Sequence, residues 1–130
     1  MRLSHTLSIV ILTLASGVSP AREPTDAELR EWMLYVRSAG ASALVDVCAP
    51  LVPNKEEFAL AVDNWLKANS DAIARGKEVA LSGLPKGQTL DKFNADIVAD
   101  FKVKFDRQSD AQKTNACAKY IEVFKTTAKE

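Results

Sequence analysis

Apolar residues recur at spacings of three and four along most of the chain, and alternation of single apolar and polar residues is scarce. Spacings of three and four place side chains on one face of an α-helix, whereas alternation is typical of strands. The pattern therefore predicts an all-α protein. It is interrupted around Pro50 and Pro53 and again at residues 82–87, where proline and glycine favour turns.

Polar residues that can cap a helix precede each predicted helix. A cap side chain accepts a hydrogen bond from a free backbone amide of the first turn. The caps are Thr25, Asn54, Thr89 and Ser109. We expect the first helix to end at Cys48 and the second to continue to Leu81. Because short connections make sequential helices antiparallel, the sequence predicts a four-helix, up-and-down bundle.

The large apolar residues define the faces that we expect to point inward. On the first helix these are Leu29, Trp32, Met33, Val36, Ala43, Leu44 and Val47. Gly40 lies on the same face and weakens the helix, which allows a kink or break at residues 38–40. Trp65 stands in the apolar stripe of the second helix and is expected to be a packing residue. The aromatic residues Trp32, Trp65, Phe93, Phe101 and Phe105 could also line a ligand cavity, although aromatics at helical spacing more often form a simple core.

The chain contains two cysteines, Cys48 and Cys117. Cys48 ends the first helix on its apolar face, and Cys117 lies about two turns into the fourth helix. In an antiparallel bundle these positions fall at the same end. We therefore predict a disulfide between Cys48 and Cys117, as is common in small exported domains.

The N-terminus predicts export. Arg2 precedes an apolar run at residues 7–15, and Ser19 and Ala21 supply the small residues of a signal-peptidase site. The run is about half of the roughly 20 residues that a membrane helix needs. Residues 1–21 are thus interpreted as a signal peptide of bacterial type and residues 22–130 as one helical domain, periplasmic or secreted.

Composition disfavours several classes of function. Lysine plus arginine balance aspartate plus glutamate at 17 each, so the charge gives no footprint for nucleic acid or an anionic membrane. The single histidine, His5, leaves with the signal peptide, and no phosphate-binding loop or haem attachment motif occurs. We expect no enzyme activity, no metal and no cofactor.

Asp96 and Asp100 stand one helical turn apart and could in principle share acid–base work. Lys92 and Lys104 extend the same line by one turn on either side. Alternating charges at this spacing are typical of a solvated helix face. We expect ion pairs there rather than catalysis.

Two runs carry a family resemblance: YVRSAGASALVDVCAP at residues 35–50 and FALAVDNWLKANSDAI at residues 58–73. With the signal peptide, the helix ending in Cys-x-Pro and the Trp65-Leu66 pair, they resemble the small helical immunity proteins that protect bacteria against periplasmic amidase effectors of type VI secretion. The resemblance covers about the first half of the mature chain. It implies a protein that blocks a cell-wall amidase by occluding its cleft, and it assigns no inhibitory residue.

Three functions stay open at this point. An inhibitory binding protein is preferred, and the alternatives are an acid- or envelope-stress chaperone and a small-ligand carrier. For the first, the candidate partner-binding residues are Pro85, Lys86 and Gly87 in the second turn, with residues 51–55 as the other candidate segment. A cell-wall hydrolase is the expected partner, and a homodimer is compatible with the sequence.

Overall fold

The computed structural model describes residues 22–126, which form five α-helices and no strand. The helices are α1 (Asp26–Cys48), α2 (Lys55–Ala68), α3 (Ser70–Gly83), α4 (Leu90–Asp106) and α5 (Asp110–Thr126), and a short 3₁₀ turn (Ala49–Leu51) follows α1. The predicted all-α class is confirmed. The predicted signal peptide, residues 1–21, and the last four residues lie outside the described part.

Four of the five helices start where their capping residues predict. The Thr25 hydroxyl accepts from the Glu28 amide, and the Glu28 carboxylate accepts from the Thr25 amide at 2.7 Å, which closes the capping box. Asn54 and Thr89 accept from first-turn amides of α2 and α4. At the start of α5, Ser109 exchanges the same pair of bonds with Gln112.

The expectation of one helix from Asn54 to Leu81 is wrong, because the helix is interrupted at Asn69. The Asn69 backbone leaves helical geometry at φ −108° and ψ 12°. Its buried side-chain amide donates to the Trp65 carbonyl at 2.9 Å, a bond that competes with the helical ladder. The predicted second helix is therefore two helices, α2 and α3.

The long helix α1 is the centre of the fold, and every other helix contacts it. It runs unbroken past Gly40, so no break occurs at residues 38–40. α3 packs against its first half, where Gly76 meets the backbone of Glu31 and Arg75 pairs with the Glu31 carboxylate at 2.5 Å. The Tyr35 hydroxyl donates to Asn94 at 2.8 Å and ties α4 to the same part of α1.

The hydrophobic core lies around the second half of α1. The Cys48–Cys117 disulfide is present with a Cα–Cα distance of 5.5 Å, and both residues are fully buried, which confirms the predicted pair. Trp65 is also fully buried and meets Phe124 edge to face at 5.3 Å, as expected of a packing residue. The core around them is completed by Leu34, Ala41, Leu44, Phe58, Val62 and Phe105.

The predicted inward face of α1 is wrong in its first half. Leu29 is 44% exposed and Met33 is 53% exposed. Both line an open depression between α1 and α3, together with Ala72 and Arg75, instead of packing in the core. Val36 and Trp32 are half-buried. Helical spacing identified an apolar stripe, but no neighbouring helix covers all of it.

We predict that Gly76→Ala destabilises the protein by about 2 kcal/mol or more, in the range of overpacking a tight contact. An added Cβ would lie 1.9 Å from the Glu31 carbonyl oxygen, so the two helix backbones would have to move apart. Gly40→Ala is the matched control, because a Cβ there meets nothing within 4 Å. Denaturant unfolding should show that the control is neutral or gains up to about 1 kcal/mol from helix propensity. Equal stability of the two variants would contradict the close contact.

We predict that replacing both Cys48 and Cys117 by alanine lowers the free energy of unfolding by about 4 kcal/mol, the chain-entropy estimate for a loop of this length. The bond closes 69 residues of chain. Denaturant unfolding of the oxidised wild type and the double variant gives the difference. Alkylation of either thiol in wild-type protein without prior reduction would show that the bond does not form.

Candidate functional site

The predicted partner-binding residues Pro85, Lys86 and Gly87 form an exposed turn between α3 and α4. The Gln88 amide donates to the Pro85 carbonyl at 3.0 Å, which closes a four-residue turn. Gly87 has φ +85°, the left-handed conformation that a type II turn requires at its third position. Proline and glycine thus fix the backbone on either side of Lys86, whose side chain is held out into solvent.

An apolar cleft of about 560 Å³ lies beside this turn. We call it the Trp32 cleft. Its walls come from the start of α1, the end of α3, the turn and the start of α4, and they include Pro24, Leu29, Trp32, Val79, Leu84, Pro85 and Phe93. Trp32 and Phe93 are each half-buried, so both aromatic rings present part of their surface to the cleft.

The tight contact between α1 and α3 explains where the cleft lies. Gly76 brings α3 against Glu31, and α3 then continues past the first turns of α1. The end of α3 and the turn that follows are therefore carried to the N-terminal end of α1. The buried Ala80, one turn after Gly76, lines the same cleft and leaves it room because its side chain is small.

Lys86 supplies the positive charge of the turn. It makes no ion pair with any residue between 22 and 126. Lys92 lines a second depression together with Lys86, but both oxygens of Asp96 already hold its ammonium group, at 2.7 and 2.9 Å. This second depression shares Gln88 with the Trp32 cleft. A cationic surface and an apolar surface are therefore adjacent.

The capping box of α1 secures the opposite edge of the cleft. Pro24 lies between Arg22 and Thr25, and both of these residues bond to the Glu28 carboxylate, at 2.6 and 2.7 Å. The hydrogen bond from the Thr25 backbone amide lowers the pKa of Glu28 below its usual value, and the hydrogen bond from the Arg22 guanidinium lowers it further. The ionised carboxylate thus keeps the segment before α1 in place along the cleft.

The other candidate segment, residues 51–55, lies at the opposite end of α1, next to the disulfide. It borders a smaller cleft of about 300 Å³ that also includes Ile121 of α5. Across this cleft Lys125 forms an ion pair with Glu57, so that the two charges neutralise each other. The hydrogen bond between the two side chains raises the pKa of Lys125. The structure does not bring the two candidate segments together, so one compact partner would meet only one of them.

The charged line on α4 forms ion pairs, as expected. Lys92 pairs with Asp96, and Lys104 pairs with Asp100 at 2.6 Å.

Within residues 22–126, no three side chains of the types that ligate metals come together. His5 lies outside that part of the chain. None of the described helices combines the length and the apolar character that crossing a membrane would require.

The aromatic residues that were considered for a ligand cavity separate into two groups. Trp65 and Phe105 are buried in the core and the half-buried Phe101 packs against it, whereas Trp32 and Phe93 line the Trp32 cleft. Sequence reasoning named the turn but missed the cleft, because it placed Leu29 and Trp32 in the core. The proximity of Trp32 to the turn depends on how α3 crosses α1, which helical spacing does not encode.

Comparison of the chain with models of known families, with curated proteins and with solved structures found no match.

We predict that Glu28→Gln reduces the loss of stability in acid. Because the pKa of folded Glu28 is lowered, its stabilisation is present above the unfolded pKa and disappears as the pH falls through the folded pKa. Glutamine keeps a side-chain oxygen that can accept from the cap amide, but it does not titrate. Unfolding free energies measured from neutral to acidic pH should fall less steeply for the variant. Parallel curves for variant and wild type would contradict the assignment.

Proposed function

We propose that the mature protein is an exported binding protein that inhibits a cell-wall amidase by covering its cleft. The observation that carries this proposal is the juxtaposition of Lys86, at the tip of a hydrogen-bonded turn, with an apolar cleft lined by Trp32 and Phe93. Occlusion needs a shaped and rigid surface and no catalytic group of its own. The resemblance of residues 35–50 and 58–73 to amidase immunity proteins supplies the class of partner.

The local physics supports the turn as a binding element. Its backbone is fixed by the Pro85–Gln88 hydrogen bond, so little conformational entropy is lost when a partner orders it. Energetic hot spots of interfaces are enriched in tryptophan, tyrosine and arginine, which favours Trp32 as a contact, whereas a lysine such as Lys86 contributes mainly to charge complementarity. Residues 51–55 border a smaller cleft, across which Lys125 and Glu57 are already paired with each other. We therefore favour the Pro85-Lys86-Gly87 turn.

The proposal includes an up-and-down arrangement in which α2 and α3 together form the second arm of a four-helix bundle. In support, both helices pack against α1, α3 beside its first half and α2 beside its second half. This topology places the Lys86 turn at one end of the molecule and the disulfide at the other. A buried disulfide is compatible with export, and the sequence pattern of residues 1–21 favours the periplasm.

We predict that the wild-type protein slows peptidoglycan hydrolysis by any cell-wall amidase encoded beside its gene, and that Lys86→Glu weakens this inhibition about 30-fold. Reversing one interfacial charge at a cost of about 2 kcal/mol gives this factor. Lys119→Glu on α5 is the matched control, because Lys119 is also exposed and lies away from the turn. Inhibition constants of the three proteins are compared at equal ionic strength.

Unchanged hydrolysis at an excess of wild-type protein would refute the inhibitory function. The chaperone alternative would then take its place, and acid-induced exposure of the apolar helix faces would be the property to measure.

A further inference from the structure

We propose that the Trp32 cleft is the anchor pocket for the partner: a large apolar side chain of the partner enters the cleft, and a carboxylate next to that side chain meets Lys86. This inference rests on the proposed function and names the chemistry that the partner must present. It extends the binding surface from the turn onto α1 and α4.

The shape and composition of the cleft favour an apolar anchor. At about 560 Å³ it is within the size range of pockets that bury drug-sized groups, and one or two large side chains would fill it. Leu29 is 44% exposed on its wall. Burying such surface together with the rings of Trp32 and Phe93 removes apolar area from water, which is the main driving force of association.

The charges at the edges of the cleft restrict which charged group of the partner can lie beside it. On the α1 side, Glu28 is neutralised by Arg22. On the α4 side, Lys92 is neutralised by Asp96, and Asp91 is the one acidic side chain of the first turn of α4. Lys86 remains without an ion-pair partner among the described residues, at the end of the turn that borders the cleft. A carboxylate on the partner complements it, whereas a lysine or arginine at that place would be repelled.

Leu29→Glu is the test of the apolar anchor. It places a charge on the cleft wall, where it disfavours an apolar side chain and repels the proposed carboxylate. Leu60→Glu is the matched control: Leu60 is 58% exposed on α2, and the same change there leaves the cleft intact. Both leucines are surface residues of helices, so both variants should fold, and thermal unfolding followed by circular dichroism checks this.

Affinity for the neighbouring cell-wall amidase is measured by titration calorimetry for the wild type, Leu29→Glu and Leu60→Glu. The expected result is a loss of at least 30-fold for Leu29→Glu and less than threefold for Leu60→Glu. Leu29→Ala, which only truncates the side chain, should lose about tenfold and shows that the effect does not depend on the new charge. Combining Lys86→Glu with Leu29→Ala should abolish detectable binding.

The outcomes separate this inference from the proposed function. If the wild type inhibits and Leu29→Glu and Leu29→Ala bind as well as Leu60→Glu does, the anchor pocket is refuted and the inhibitory function stands. If the wild type neither binds nor inhibits, the function is refuted and the anchor falls with it. A change in tryptophan fluorescence on adding decanoate that is absent in Trp32→Phe, without any amidase binding, would make the cleft a site for small amphipathic anions. Conversion of a wild-type dimer to a monomer by Leu29→Glu would make a second copy the occupant. Each of these last two results would overturn the proposal.

Discussion

The backbone contact between α1 and α3 is the constraint on which the rest of the structure depends. Gly76 has no side chain, so α3 can approach until a Cβ would overlap the Glu31 carbonyl. Arg75 adds an ion pair to Glu31 beside this contact, although an exposed pair contributes at most about 1 kcal/mol. The break at Asn69 lets α3 take a direction different from that of α2. The position of the Lys86 turn, and with it the Trp32 cleft, follows from this crossing.

The two ends of the molecule differ in how completely they are packed. At one end the Cys48–Cys117 disulfide, Trp65 and Phe124 make a core from α1, α2 and α5. At the other end Trp32, Phe93 and Leu29 keep part of their surface in water. Apolar surface that stays exposed at one end adds little to stability, so the rest of the domain must supply it. In a small domain a disulfide does this by restricting the unfolded chain. Under the proposed function, stability and binding lie at opposite ends of α1.

Those features of the fold that local chemistry determines could be predicted from the sequence. The helix caps follow from single side chains and the amides next to them, and the disulfide follows from two cysteines on apolar faces. The break at Asn69 was missed because its signal is one side-chain amide bonded to the Trp65 carbonyl, inside an otherwise continuous helical pattern. The exposure of Leu29 and Met33 was missed because periodicity shows that a stripe is apolar but does not show which helix covers it. The candidate turn was found from Pro85 and Gly87, whereas the cleft beside it depends on tertiary packing.

Hydrogen–deuterium exchange of the free and amidase-bound protein shows whether the partner binds at the turn end of α1. Backbone amides exchange more slowly where a partner excludes water or suppresses local opening. We expect added protection at residues 84–93 and in the first turns of α1, with no change at residues 51–55 or in α5. Protection confined to residues 51–55 and α5, with residues 84–93 unchanged, would contradict this expectation.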